Sequence, residues 1–254
     1  MTARAMSRAT TLSLAAALLC ACGDPSGNET DGDSTSTGGE PTTGGTTEPV
    51  ELDMSPVEFV CEAGDAPSDA FIDCVESFAP FGATFGHDLL PEVVLGPPVG
   101  RGVENGSVDV VSLGCDGTIT VFFDDPGLVD GPGPDFIVFE NPFVAGSITF
   151  VEPAQVLVSE DGVTWKVFPC DLSAELPRGC AGVTPVLSSP DNGIDPTDPG
   201  AAGGDAFDLA DVGLSSARYV RLVDVGVAFY GDSTWCGGVG GGFDLDAIAA
   251  LHSG

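Results

Sequence analysis

Short apolar runs, cut apart by Asp-Gly and Gly-Pro turns, dominate the chain from residue 108 to residue 251. They are Val108–Leu113, Thr118–Phe123, Phe136–Phe139, Ser147–Phe150, Ala154–Ser159, Thr164–Phe168, Tyr219–Val225 and Phe243–Leu251. Each either alternates apolar with polar residues or is apolar throughout, the two patterns of half-buried and fully buried strands. Asp116-Gly117, Asp161-Gly162 and Asp130-Gly131-Pro132-Gly133-Pro134 separate them. Asp-Gly between apolar runs marks a hairpin, because the turn needs positive φ. Gly (36) and Pro (20) make up about a fifth of the chain, which argues against a helix bundle. The expected fold class is all-β, an antiparallel β-sandwich. A short helix is expected over Pro67–Glu76, capped by Ser68, and Asp205–Val212 reads as strand or loop.

Charge narrows the partners. The 254 residues carry 39 Asp plus Glu against 7 Lys plus Arg, a net charge of −32, and Lys166 is the single lysine. Phosphate binding needs clustered cations, so nucleic acid is excluded as a partner, and electrostatic docking on anionic lipid is argued against. Cation binding remains open. With 43% hydrophobic residues and 15 Phe, the bulk of the chain is not of the disordered type.

The N-terminus reads as an address. Arg4 and Arg8 precede the apolar run Leu12–Cys20, which is too short to span a bilayer and fits a secretory signal. Leu19-Cys20-Ala21-Cys22 resembles a bacterial lipoprotein lipobox. The resemblance implies a signal peptide over residues 1–21, cleavage before Cys22 and lipid on its sulfur. Gly23 after that cysteine points to export beyond the inner membrane, to the outer membrane or cell surface. Cleavage would remove two of the seven bases and none of the acids. Residues 22–56 are Gly, Ser, Thr, Pro and acid-rich, and the part up to Ser55 has no aromatic residue. This stretch cannot bury a core and is expected to be a disordered tether, reaching on the order of 30 Å. Residues 57–254 form the expected single domain.

Six cysteines remain in it: Cys61, Cys74, Cys115, Cys170, Cys180 and Cys236. An even count in an exported protein reads as three disulfides. Cys61–Cys74 and Cys170–Cys180 are close in sequence, leaving Cys115–Cys236 as a long-range clamp. Without Cys-x-x-Cys and with only His87 and His252 as histidines, a thiolate metal site is not expected.

Ala154-Gln-Val-Leu-Val-Ser-Glu-Asp-Gly-Val-Thr-Trp165 and Ala217-Arg-Tyr-Val-Arg-Leu222 resemble two strands of discoidin-like (galactose-binding-like) jelly-roll domains. Thr118–Asp124 and Phe243–Leu251 stand where such domains have their first and last sheet strands. A further resemblance, to bacterial cell-surface lipoproteins of myxobacterial type, is carried by four segments. They are Gly133-Pro-Asp-Phe-Ile-Val-Phe-Glu-Asn141, Glu152-Pro-Ala154, Gly203-Gly-Asp-Ala-Phe-Asp-Leu-Ala-Asp-Val-Gly213 and Gly242-Phe-Asp-Leu-Asp246. It implies an exported jelly roll and supplies no activity. The resembling hairpin packs its Trp inward, so Trp165 is expected in the core. The sequence departs from simple discoidin domains over an insertion at about 169–206.

Calcium is the first candidate ligand, because Ca²⁺ takes six to eight oxygens from carboxylates and carbonyls. Three acidic clusters offer them. One is Asp124, Asp125, Asp130 and Asp135. The second is Asp191, Asp195, Asp198, Asp205, Asp208 and Asp211. The third, Asp244 and Asp246, shares one face of a strand. The competing reading of all three is a solubilising surface with Asp favoured in turns. A glycan is the second candidate, with Trp235, Tyr230, Phe85, His87 and Arg101 in loops. Trp235 reads first as buried beside the Cys115–Cys236 bridge and second as a ligand contact. Arg218 and Arg221 are expected to hold at least one structural ion pair. Catalysis is third: no nucleophile elbow, zincin or phosphate-loop motif is present, and carboxylates are too abundant to mark a glycosidase pair. The expected function is a lipid-anchored, non-catalytic, calcium-binding surface module for a glycan or a surface protein. A structural accessory module comes second and a secreted hydrolase third.

Overall fold

The Tyr-Val-Arg-Leu-Val-Asp segment alternates as a half-buried strand should, and it becomes the strand on which the main sheet is built. In the computed structural model, which describes residues 56–61 and 70–252, Tyr219–Asp224 turns Val220, Leu222 and Asp224 inward. Tyr219, Arg221 and Val223 face outward by the same period. Its neighbours are Thr118–Phe122 on one side and Ala154–Ser159 on the other, so Val220 lies between Val121 and Val158. The sheet has six antiparallel strands, in the order Val57–Glu58, Cys74–Ala79, Thr118–Phe122, Tyr219–Asp224, Ala154–Ser159 and Lys166–Val167.

A second, three-stranded sheet has the order Asp205–Phe207, Phe136–Phe139, Ala247–Ala250. Phe136 and Val138 join the main core with Val156, Leu222 and Phe243. Ile137 and Phe139 face the other way, onto Val186, Ala202, Ala247 and Ala249. Both faces of the strand are covered, which is why its sequence is an uninterrupted apolar run. Val186 and Ala202 lie in the 169–206 segment, which therefore roofs the outer face of the small sheet. The fold is an all-β antiparallel sandwich, with helix among the described residues limited to Gly226–Tyr230 and three 3-10 turns.

The turns bear out the Asp-Gly reading in detail. Asp116 takes positive φ (57°), and a Cβ on Gly117 would lie 1.9 Å from the Leu113 carbonyl oxygen, so only glycine fits there. At the second turn Gly162 has φ 70°, and Asp161 Oδ1 accepts the N–H groups of Val163 and Thr164. The three disulfides form as expected: Cys61–Cys74, Cys115–Cys236 and Cys170–Cys180.

Three expectations are corrected. The helix over Pro67–Glu76 is not formed in its described part: Cys74–Ala79 is a strand. Val75 and Phe78 are three apart, as on a helix, yet both are buried because a bulge between Val75 and Ser77 restores the strand's phase. Ser68 lies outside the described residues, as do the signal segment, Cys22 and most of the tether. Trp165 is not in the core; it lies half-buried on the outer face, its ring 4.0 Å below the Arg221 guanidinium. Trp235 is not buried beside its disulfide but is 49% exposed. Asp205–Val212 resolves into a strand, Asp205–Phe207, and a 3-10 turn, Leu209–Val212, capped by the Asp208 side chain. Arg218 forms the expected ion pairs, with Asp124 and Asp125.

Candidate metal centre and adjoining cavity

Three carboxylates from distant segments meet at one end of the sandwich. Glu140 directly follows the strand Phe136–Phe139. Glu152 precedes the strand Ala154–Ser159. Asp244 opens a two-residue strand, Asp244–Leu245, paired antiparallel with Val111–Ser112. One oxygen of each lies within 4.8 Å of one of each of the others. The residues are 1%, 5% and 6% exposed respectively.

Their hydrogen bonding is incomplete. Neither Glu140 oxygen has a partner of normal geometry, nor does Asp244 Oδ1. Asp244 Oδ2 accepts the Asn141 side-chain amide at 3.0 Å, and the same nitrogen donates to the Ser107 carbonyl at 3.0 Å. Burial raises all three acids. Glu140 is pushed well above the carboxylate range by desolvation, then by the charges of Glu152 and Asp244. Desolvation, with Asp244 and Asp224 adding, takes Glu152 to about 10. Asp244 rises to about 7, mainly by desolvation. Like charges this close and dry cannot all ionise without protons or a cation between them. The ion pairs among the described residues fall elsewhere.

Glu152 and Asp244 also line a cavity of about 350 Å³, with Asn141, Phe143, Phe150 and Trp235 around it and the glycine-rich loop 237–241 at its rim. The hairpin of Phe143–Ala145 and Ile148–Phe150 forms one wall. The Trp235 ring stands 5.8 Å from Phe150 and 5.7 Å from Tyr230, and the Tyr230 hydroxyl donates to the Val151 carbonyl. The Cys115–Cys236 bridge ties the Trp235 loop to the turn that leads into the strand Thr118–Phe122.

The acids singled out from sequence take several places. Asp130, Asp135 and Asp208, drawn from two separate sequence clusters, bring their oxygens within 4.8 Å. Asp135 accepts N–H groups from Gly131 and Leu209 at 2.8 and 2.7 Å, and His252 Nε2 is 3.8 Å away. Asp208 is engaged as the cap described above. Asp195 accepts from Thr197 N–H and hydroxyl, and Asp198 from Gly200 N–H. Asp205 holds Val183 N–H and the Thr184 hydroxyl. Asp246 does not join Asp244; it accepts Val99 N–H at 3.0 Å. Asp191 is exposed. Of the ligand candidates, Trp235 walls the cavity and Tyr230 backs it. His87 instead packs on Phe78 and bonds the Ser112 carbonyl. Arg101 is exposed, between glycines bonded to Ser188 and Val186.

Glu140 and Glu152 are absent from the three Asp clusters. Their signal is position rather than density: a carboxylate abutting a fully buried apolar run has no turn of its own to serve. No protein-family model matches the chain, and no curated protein matches it.

Proposed function

We propose that the chain is an exported, lipid-anchored surface protein whose β-sandwich binds without catalysing, with Ca²⁺ as its ion and a glycan as its partner. On this reading Cys22 carries the lipid, residues 22–56 form the tether, and the sandwich is of the discoidin-like kind. One observation carries it: the half-exposed Trp235 lines the same cavity as the Glu152 and Asp244 carboxylates and the Asn141 amide. An aromatic face takes the C–H side of a sugar ring, and a few convergent polar groups take its hydroxyls. A smooth protein partner would bury the Trp equally well but has no use for the carboxylates.

The test is a glycan array probed with the full chain in Ca²⁺ and in EDTA. Selective, EDTA-sensitive capture is expected, weakened at least about tenfold by Trp235→Ala, since a desolvated Trp carries about 2 kcal/mol or more. A flat array in Ca²⁺ overturns the glycan reading.

A further inference from the structure

We infer that Glu140, Glu152 and Asp244 are the protein ligands of a single Ca²⁺ ion, whose remaining positions open into the Trp235 cavity. The inference assigns the ion of the proposed function to residues outside the evident acidic clusters, and rests on that reading only for what enters the cavity.

The strongest ground is how this chain treats its other buried acids. Asp224, fully buried, accepts N–H groups from Asp116, Gly226 and Phe243. Asp246 accepts Val99 N–H, and Asp135 accepts two backbone N–H groups. Each of these carboxylates is satisfied by backbone donors and so serves the loops. Glu140 is as deeply buried as any of them, at 1% exposure, yet neither of its oxygens has a hydrogen-bond partner of normal geometry. The Asn141 and Asp244 N–H groups lie near enough only to offset part of its burial, and one oxygen is grouped with two more carboxylates. Buried polar atoms are otherwise nearly always paired. A group of three, two of them with orphaned oxygens, lacks a positive partner that backbone cannot supply.

The donor set defines that partner. The group contains only carboxylate oxygen, with neither histidine nor cysteine in it, which selects a hard cation. Oxygens no more than 4.8 Å from one another can all reach a single ion at the Ca²⁺–oxygen distance of about 2.4 Å. Mg²⁺ holds its oxygens at about 2.1 Å, demands a stricter octahedron and keeps several waters, which a site this deeply buried does not favour. Three carboxylates, mono- or bidentate, leave part of a shell of six to eight unfilled. Glu152 and Asp244 border the cavity, so positions they leave open can be filled from the ligand space. Asn141 orients Asp244 through its amide, as outer partners of metal ligands do.

The test uses the full chain stripped with EDTA and titrated with CaCl₂ alone in a calorimeter. A saturable heat is expected, weakened at least about 100-fold in Glu140→Gln and in Asp244→Asn and unchanged in Asp195→Asn. Glu140→Gln keeps the shape of the neutral, metal-free side chain, so it should melt within a few degrees of the wild type without Ca²⁺ and lose the Ca²⁺-induced rise; a merely misfolded variant would melt well below the wild type under both conditions. Terbium replaces Ca²⁺ as a second probe. Excitation of tryptophan should light the bound Tb³⁺ through Trp235, and Trp235→Phe should dim that emission. Absence of both heat and Tb³⁺ emission with wild type, or a Glu140→Gln protein that binds Ca²⁺ as tightly as wild type, overturns the assignment. Neither measurement contains a glycan, so a flat glycan array and a failed metal titration are separate results.

Discussion

Asp224 Oδ2 accepts the backbone N–H of Phe243 at 2.9 Å, joining the central strand of the main sheet to the residue immediately before Asp244. The other oxygen of Asp224 takes the N–H groups of Asp116 and Gly226. One buried side chain thus positions the Asp116-Gly117 turn, the start of the helix Gly226–Tyr230 and the approach to the Glu140, Glu152 and Asp244 group. Asp224→Ala orphans three N–H donors, each costing about 1–3 kcal/mol when buried and unmet. Chemical denaturation should show a loss of about 3 kcal/mol or more, whereas Asp195→Ala in an exposed loop should lie within about 0.5 kcal/mol of wild type.

The Cys115–Cys236 bridge closes a loop of 121 residues. In the chain-entropy picture a loop of that size contributes about 4–5 kcal/mol through the unfolded state. The Cys115→Ala/Cys236→Ala double variant should lose a comparable amount in a urea titration. Because Cys236 adjoins Trp235, it should also lose glycan capture under conditions where it remains folded.

The Asp161 hairpin should respond to acid. Hydrogen bonds from Thr164 and Val163 N–H and from Ser159 lower its carboxyl from 3.8 to about 2. A depressed folded-state value means the ionised form supports the fold. That support is complete above about pH 4 and disappears as the pH falls towards 2. Amide exchange at Val163 and Thr164 should quicken through this window, and Asp161→Asn should remove the dependence. Unchanged exchange in the wild type would show that the turn does not need the charge.

Calcium should raise the melting temperature. A ligand at 100 times its Kd stabilises the native state by about 2.7 kcal/mol, which for a domain of this size corresponds to about 5–10 °C. EDTA should reverse the shift in differential scanning fluorimetry.

Cys22→Ser should move the protein from the membrane fraction to the soluble exported fraction, read by immunoblot after fractionation. Unaltered partitioning would reject the lipid anchor.

Much of the strand content is legible along the chain. Phe136–Phe139 and Ala154–Ser159 form with the bounds their patterns give, because period and turn chemistry are local properties. Phe243–Leu251 reads as one strand but breaks at Asp246, whose side chain reaches to Val99. The Cys74–Ala79 bulge escapes for a related reason: a spacing of three is helical unless a partner strand shifts the register. Trp165 is legible as an aromatic at a hairpin, but its side of the sheet depends on where Arg221 emerges one strand away.

The acidic residues show where local reading ends. By itself the sequence determined an all-β chain with three disulfides and a large excess of carboxylates, since composition, period 2 and cysteine spacing need no partner to be read. Only the tertiary structure decided which carboxylates face backbone donors and which face one another. Asp135, Asp205 and Asp246 found N–H groups within reach and became clasps for loops. Glu140, Glu152 and Asp244, 12 and 92 residues apart in the chain, were carried by three different strands to one dry point. The energy of a carboxylate is set by its surroundings within a few ångströms, and those surroundings exist only once the sheets have packed.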